Sequence, residues 1–307
     1  MKNLLLAASR NHTVRDLATR LPVVRRTVDR FVPGEAVDDA LRAVREIKAS
    51  GRLATIDTLG EDTTTRAAAM AATEANVVLV QRLADAGLTD VAEVSLKASA
   101  LGLGLPGGDE LALENAARIA SAAAEAGTTI TLDAEDHTTT DGMHALADAL
   151  RAEFGGTGLV LQAMLFRTES DCARYAGAGS RVRLCKGAYA EPAAVAHQSA
   201  ADIREAFQRC LAVLVAGEGY PMIATHDPAM ITAALGQLLV AGRSVETYEF
   251  QMLYGVRPDE QLRLAREGHR VRVYVPYGVD WYGYYMRRLA EKPANLALLG
   301  RALVSRR

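Results

Sequence analysis

The sequence predicts an α/β fold, a (β/α)8 barrel, and three observations carry the prediction. Eight short apolar runs recur between residues 54 and 276. Most are separated by alanine-rich segments with helical spacing, roughly 10 to 25 residues long. Glycine or proline marks the ends of those segments. Eight strands alternating with helices over about 250 residues match such a barrel in count and length. A doubly wound open sheet shows the same alternation and remains the competitor, because strand order is not legible in one sequence.

Residues 1–30 carry seven Lys/Arg but only Asp16 and Asp29 as acids, with apolar positions at helical spacing such as Leu17, Leu21 and Val24. Residues 1–50 read as an N-terminal arm of short helices, broken near Pro33-Gly34, that packs on the main domain, 51–307. Contact with a membrane surface or a partner is the alternative. The arginines recur about every five residues, which winds them around a helix and implies no single basic face.

The barrel then opens with the run 54–59, and a helical stretch follows that stops at Gly87. Run 91–98 carries Lys97, and Asp109 reads as the N-cap of the next helix, which stops at Gly127. Run 128–133 ends on Asp133 and its helix stops at Gly155. Run 159–164 holds Gln162, and run 181–186 holds Arg183 and Lys186. Pro192 reads as a helix opener before the stop at Gly217. Run 222–226 ends on His226, Pro228 opens a helix, and Gly242 stops it. Run 246–252 carries Gln251, Pro258 opens the next helix, and Gly268 closes it. Run 271–276 holds Tyr274, with Tyr277 just beyond. Each glycine stop is expected in the left-handed conformation that ends helices.

In a barrel these polar strand ends converge on the C-terminal mouth, where active sites form. Lys97, Arg183, Lys186, Arg287 and Arg288 make that mouth cationic and imply an anionic ligand, a carboxylate or phosphate. Six of the chain's aromatics, Tyr274, Tyr277, Trp281, Tyr282, Tyr284 and Tyr285, stand close to the paired arginines and offer a stacking wall.

The Gly-Leu-Gly-Leu-Pro-Gly segment at 102–107 formally fits GxGxxG, but Pro106 and the glycines after it make a loop where a dinucleotide fingerprint needs a helix. There is no GxSxG, HExxH or P-loop. Asp133, Glu135, Asp136 and His137 do not have a metal-ligand spacing. Lys186 could form a Schiff base, although anion binding is the simpler reading with Arg183 so near.

Half the residues are apolar and 23% charged, as in a soluble globular chain with a large core. Thirty-five basic against thirty-seven acidic side chains leave no basic excess for nucleic acid. Cys172, Cys185 and Cys210 have no disulfide or zinc pattern and suit a reducing cytoplasm. No run is long enough for a signal peptide or membrane span.

Five segments together carry a resemblance: LDAEDHTTTD (132–141), RVRLCKGAYAEP (181–192), ATHDP (224–228), YEFQMLYGV (248–256) and YVPYG…WYGYYMRRLAE (274–291). In this order they closely resemble proline dehydrogenase, the flavin-dependent enzyme of proline catabolism, in its short single-activity bacterial form. The resemblance covers about 50–295 and implies a distorted (β/α)8 TIM-type barrel holding non-covalent FAD. It also implies oxidation of L-proline to Δ1-pyrroline-5-carboxylate, with electrons passed to a membrane quinone at the inner face of the membrane. Pyrroline-5-carboxylate dehydrogenase would be the downstream partner.

Carried over by motif, Lys97, Arg287 and Arg288 would hold the proline carboxylate, and Leu253, Tyr274 and Tyr284 would pack on its ring. Asp133 would sit among the substrate-side charges and Arg183 near flavin N5. Ala134, Gln162, Arg183, Lys186, Gly187, Ala188, Thr225 and His226 would contact FAD. Ala190 and Asp227 depart from the Trp and Asn often found in the family, which bears on how the adenosine end is held. A Schiff-base aldolase or lyase using Lys186, or a non-catalytic binding barrel, would be the competing classes.

Overall fold

The computed structural model describes residues 27–291. Its strands are β1 (Leu53–Thr58), β2 (Ala92–Lys97), β3 (Ile130–Asp133), β4 (Gly158–Gln162), β5 (Arg181–Cys185), β6 (Tyr220–Ala224), β7 (Glu249–Leu253) and β8 (Val271–Tyr277). All pair in parallel in chain order, and β8 returns to β1, closing the barrel. The open sheet is excluded. Each strand lies within a few residues of an expected run.

The helices are α1 (Val37–Ala49), α2 (Arg66–Asp85), α3 (Gly108–Glu125), α4 (Thr140–Glu153), α5 (Thr168–Tyr175), α6 (Ala200–Ala216), α7 (Pro228–Val240), α8 (Pro258–Arg266) and α9 (Trp281–Glu291). Thr65, Ser199 and Asp227 cap α2, α6 and α7, each side-chain oxygen accepting a backbone N–H of the first turn. Pro228 and Pro258 open α7 and α8 as expected. Pro192 does not open a helix. Its carbonyl accepts from Val195 and Ala196 in a single turn, and an antiparallel bridge from Leu165 to Ala196 then draws the chain out before α6.

Asp109 is likewise not a cap. It stands inside the first turn of α3, behind Gly107 in a left-handed conformation (φ 68°). The chain folds back so tightly there that a Cβ on Gly108 would lie 2.2 Å from the Leu103 carbonyl oxygen. Four of the six stop glycines, Gly87, Gly127, Gly242 and Gly268, have the expected positive φ, whereas Gly155 and Gly217 do not. Gly217 is extended, and its reason is contact: a Cβ would lie 2.3 Å from the Ala176 carbonyl oxygen.

Side chains alternate along each strand. Outward-facing Ile56, Val94, Leu96, Ile130, Leu132, Leu184, Ile223, Phe250 and Val273 bury against the helices. The interior, which in this fold is usually filled by branched apolar residues, is here charged and paired. Arg181 reaches Glu93 at 2.6 Å, Arg272 reaches Glu249 at 2.7 Å, and Thr55 donates to Glu93 at 2.8 Å. Burial works against the Glu93 carboxylate, but the guanidiniums of Arg181, Arg272 and Arg183 outweigh it and hold its pKa well below the usual range. This layer forms a rigid ionic floor beneath the mouth.

Leu41, Val44 and Ile47 of α1 join the barrel core, where the helix packs across β8 and β1. The helix after β8 takes another course. Trp281, Tyr282, Tyr284, Tyr285 and Met286 of α9 form a second apolar cluster with Val28, Phe31, Val32 and Leu59. Leu17, Leu21 and Val24 lie outside the described residues. Among those described, no helix is long and apolar enough to cross a membrane.

Candidate active site

The mouth is assembled from the last inward-facing residue of several strands. Parallel register places Lys97 of β2 beside Asp133 of β3, and Leu253 of β7 beside Tyr274 of β8. At the centre is a triad, in which Arg183 and Asp133 are buried and Tyr274 is half-buried. Arg183 donates to Asp133 at 2.6 Å and to Ser95 at 3.1 Å, and the Tyr274 hydroxyl donates to the other Asp133 oxygen at 2.6 Å. The Arg183 guanidinium also lies 5.3 Å from the Tyr274 ring centroid. Burial, with the charges of Asp133 and Asp57, pushes the Tyr274 phenol well above its ordinary pKa, so it remains a donor. Nε and Nη2 of Arg183 are buried without a hydrogen-bond partner.

Lys97 is the second centre. Its Nζ lies 2.5 Å from Asp57 Oδ1 of the adjacent strand β1, with both side chains almost wholly buried. Burial alone would lower the lysine pKa, but Asp57 and Asp133 outweigh it and raise it. For Asp57, burial and the Asp133 charge work against ionisation and Lys97 works for it.

From above, α9 spans the mouth. Arg287 grips Glu61 of the β1–α2 loop with two hydrogen bonds, at 2.7 and 3.2 Å. Its guanidinium lies 5.8 Å from the ring centroid of Tyr189 in the β5–α6 loop, on the other side of the barrel. Arg288 stacks on Tyr284 at 5.1 Å and is 8% exposed. The cationic residues expected for the carboxylate are thus gathered from β2 and α9.

The expected cofactor residues line the rim from the end of β3 to the end of β6. Gln162 donates to the Glu135 carbonyl at 2.7 Å, next to Ala134. Lys186, Gly187 and Ala188 leave β5 in a turn where Gly187 has φ 104° and a Cβ would strike Met164 Sδ at 2.2 Å. Lys186 pairs with Asp227 at 2.8 Å, and Arg204 joins the same carboxylate at 3.0 Å. Partial burial opposes the Asp227 charge, yet hydrogen bonds from Lys186 and Arg204 bring its carboxyl down to about 2. Thr225 accepts from the Asp227 N–H at 3.2 Å. His226 Nε2 accepts from the Leu253 N–H at 2.8 Å, which requires its lone pair there.

Among the described residues no three His, Cys, Asp or Glu side chains converge as a metal site would need. The acids of the 133–137 stretch go separate ways: Glu135 accepts from Ser99, Asp136 caps the turn that follows, and His137 pairs with Glu191. The sequence reading missed Asp57, Glu61 and Tyr189. The one signal for Asp57 in the sequence is that it is a lone acid inside the apolar run of β1.

A sequence model of the family described as proline dehydrogenase matches residues 40–301. Proline dehydrogenase of Deinococcus radiodurans is 39% identical over 274 residues, 88% of each chain. Proline dehydrogenase 1 of Bacillus subtilis is 36% identical over the full length of both. Among solved structures, proline utilization A of Bdellovibrio bacteriovorus, inactivated by N-propargylglycine, superposes with a TM-score of 0.79 over 87% of this chain at 23% identity. Proline utilization A of Bradyrhizobium japonicum gives 0.74 over 94% at 24% identity. The chain spans about a third of each of those longer proteins (32% and 34%), and the likeness shows the fold.

Proposed function

The chain belongs to the proline dehydrogenase family, and from that premise we propose that it oxidises L-proline to Δ1-pyrroline-5-carboxylate with non-covalent FAD. A membrane quinone would take the electrons, and pyrroline-5-carboxylate dehydrogenase would take the product. The single observation that carries this reading is Arg183. A guanidinium locked on one side by Asp133, with its buried Nε lacking an acceptor and its Nη2 reaching only Glu93 Oε1 at 3.7 Å, has donor capacity left for another acceptor. The carbonyls and ring nitrogens of a flavin are such acceptors, so the residues present fit the group.

Gln162, Lys186, Gly187, Ala188, Thr225, His226 and the backbone at Ala134 would hold the cofactor. The N-terminus of α7 and the glycine turn after β5 suit its pyrophosphate. When bound, FAD supplies the hydride acceptor for proline C5. The protein's own share is orientation. Lys97, Arg287 and Arg288 hold the proline carboxylate, and Leu253, Tyr274 and Tyr284 confine the ring, which fixes the reacting carbon in place. Asp133 anchors Arg183 and Tyr274 together, so the floor under the ring does not shift.

NAD is not the acceptor in this reading, because residues 102–107 are turn in the β2–α3 connection of a closed barrel and the helix starts only after the third glycine, Gly107. The Schiff-base alternative needs a desolvated, neutral lysine. Lys186 instead sits at the rim in an ion pair with Asp227. We read residues 1–50 as an N-terminal arm whose α1 packs on β8 and β1, and residues 51–307 as the catalytic barrel. The test is the visible spectrum of the purified chain. Flavin bands that bleach on adding L-proline are expected, and a colourless protein, or a yellow one indifferent to proline, would overturn the proposal.

A further inference from the structure

We propose that Asp57 is a positioning residue for substrate binding: from the end of β1 it fixes the Lys97 ammonium in the barrel mouth and keeps it charged there. This rests on the mouth being the proline site. Lys97 is 9% exposed and Asp57 2%. An ammonium buried to that degree loses its charge unless something opposes desolvation.

The groups around it come from every side. Asp57 is on β1, Glu61 on the loop after it, Asp133 on β3 and Glu135 just beyond. Arg183 comes from β5, the neutral phenol of Tyr274 from β8, and Arg287 from α9. The other carboxylates have claims elsewhere: Glu61 on Arg287, Asp133 on Arg183 and Tyr274, Glu135 on Ser99. Among the described residues, Asp57 is the one that bonds Nζ.

An ammonium has three donors. One on Asp57 leaves two for a substrate carboxylate, and a second anchor stops a four-carbon stem from swinging between rotamers. Neighbouring strands supply the two residues, so the barrel itself sets the separation. Asp57 therefore acts on the substrate through Lys97.

The experiment uses the full FAD-loaded chain. Asp57→Asn should raise the proline KM on the order of tenfold, the worth of one charge-assisted hydrogen bond, while kcat changes far less and flavin content stays at parent level. The pH profile should move too. Asp57 raises the Lys97 pKa, so its removal lowers it, and the alkaline fall of kcat/KM should begin at lower pH than in the parent. Lys97→Gln sets the baseline for a double-mutant cycle. Asp57→Asn/Lys97→Gln, which leaves no uncompensated buried charge, should match Lys97→Gln alone.

An unchanged KM and alkaline limb in Asp57→Asn, or a double variant clearly worse than Lys97→Gln, overturns the inference. If Asp57→Asn does not fold, the parent decides. Its affinity for cyclopentanecarboxylate, read from the flavin absorbance, should persist to about pH 10, the ordinary lysine range; loss well below that range overturns it. A parent that fails to bleach with proline sinks the proline reading instead, so the two failures are distinct.

Discussion

Tyr274 shows how one side chain can do two things at the mouth: its ring lies by Arg183 and its hydroxyl holds Asp133. Tyr274→Phe keeps the ring and removes the donor, leaving a buried carboxylate oxygen short of a partner. The expected loss in proline kcat/KM is on the order of tenfold, measured by steady-state dye reduction. Tyr274→Ser also removes the bulk, so proline turnover should fall while 4-hydroxyproline improves relative to proline; an unchanged ratio means that Tyr274 does not face that edge of the ring. Asp227 makes a pH statement. Its folded carboxyl, at about 2 against an ordinary 3.8, contributes stability that is complete above about pH 4 and lost as pH falls through 2. Asp227→Asn should therefore lower the unfolding free energy from urea melts at pH 7, by on the order of 1–2 kcal/mol after solvent screening, and the gap should close between pH 4 and 2. The cationic half of the site was legible, because Lys97, Arg183 and the arginine pair stand at strand ends or beside aromatics. Of the anionic half only Asp133, which ends its run, was legible. Asp57 hides inside an apolar run and Glu61 in a loop, and only closure of the barrel shows which cation each one meets.

The strands were legible as elements because short apolar runs between helical stretches survive any tertiary context. Helix ends were less so, and the misses share a cause. Pro192, Asp109, Gly155 and Gly217 carry only a local conformational signal, and at three of them contacts from elsewhere in the fold decide: the Leu165–Ala196 bridge, the Gly108–Leu103 approach and the Gly217–Ala176 approach. For Gly155 the structure offers no comparable contact. Gly187 combines both effects, with a positive φ and no space for a Cβ beside Met164. Gly187→Ala should force the β5–α6 turn outward and expel the cofactor. The expected result is a chain with parent-like far-ultraviolet circular dichroism that purifies with little or no flavin. Full yellow colour in this variant would mean that the turn does not touch FAD. By contrast, Ser199→Ala removes only the α6 cap and should cost about 1 kcal/mol in a urea melt, with flavin content unchanged.

At the scale of the molecule, the barrel is covered unevenly, and that unevenness creates the site. The helix after β8 does not pack back over β8 and β1; α1 lies there instead, with Leu41, Val44 and Ile47 in the core. That substitution releases α9 to cross the mouth, where Phe31, Val28 and Val32 brace its aromatic face. Residues 27–49 therefore split into two functions at about Gly34, and two truncations separate them. A chain starting at residue 51 loses α1 and exposes an apolar stripe across β8 and β1. Three large side chains of the kind it loses each contribute roughly 1.5–3 kcal/mol when buried, comparable in sum to the whole stability of an ordinary domain. It should be recovered as aggregate. A chain starting at residue 36 keeps α1 and the closed barrel but loses the brace under α9. It should stay soluble with parent-like circular dichroism, while the arginines of α9 lose their fixed approach to the carboxylate. Its proline KM should then rise severalfold with kcat less affected, because the carboxylate is held in ground and transition states alike. A residue-36 chain with the parent KM would show that α9 holds its place over the mouth without Val28, Phe31 and Val32, and that its contacts to Glu61 and Tyr189 suffice.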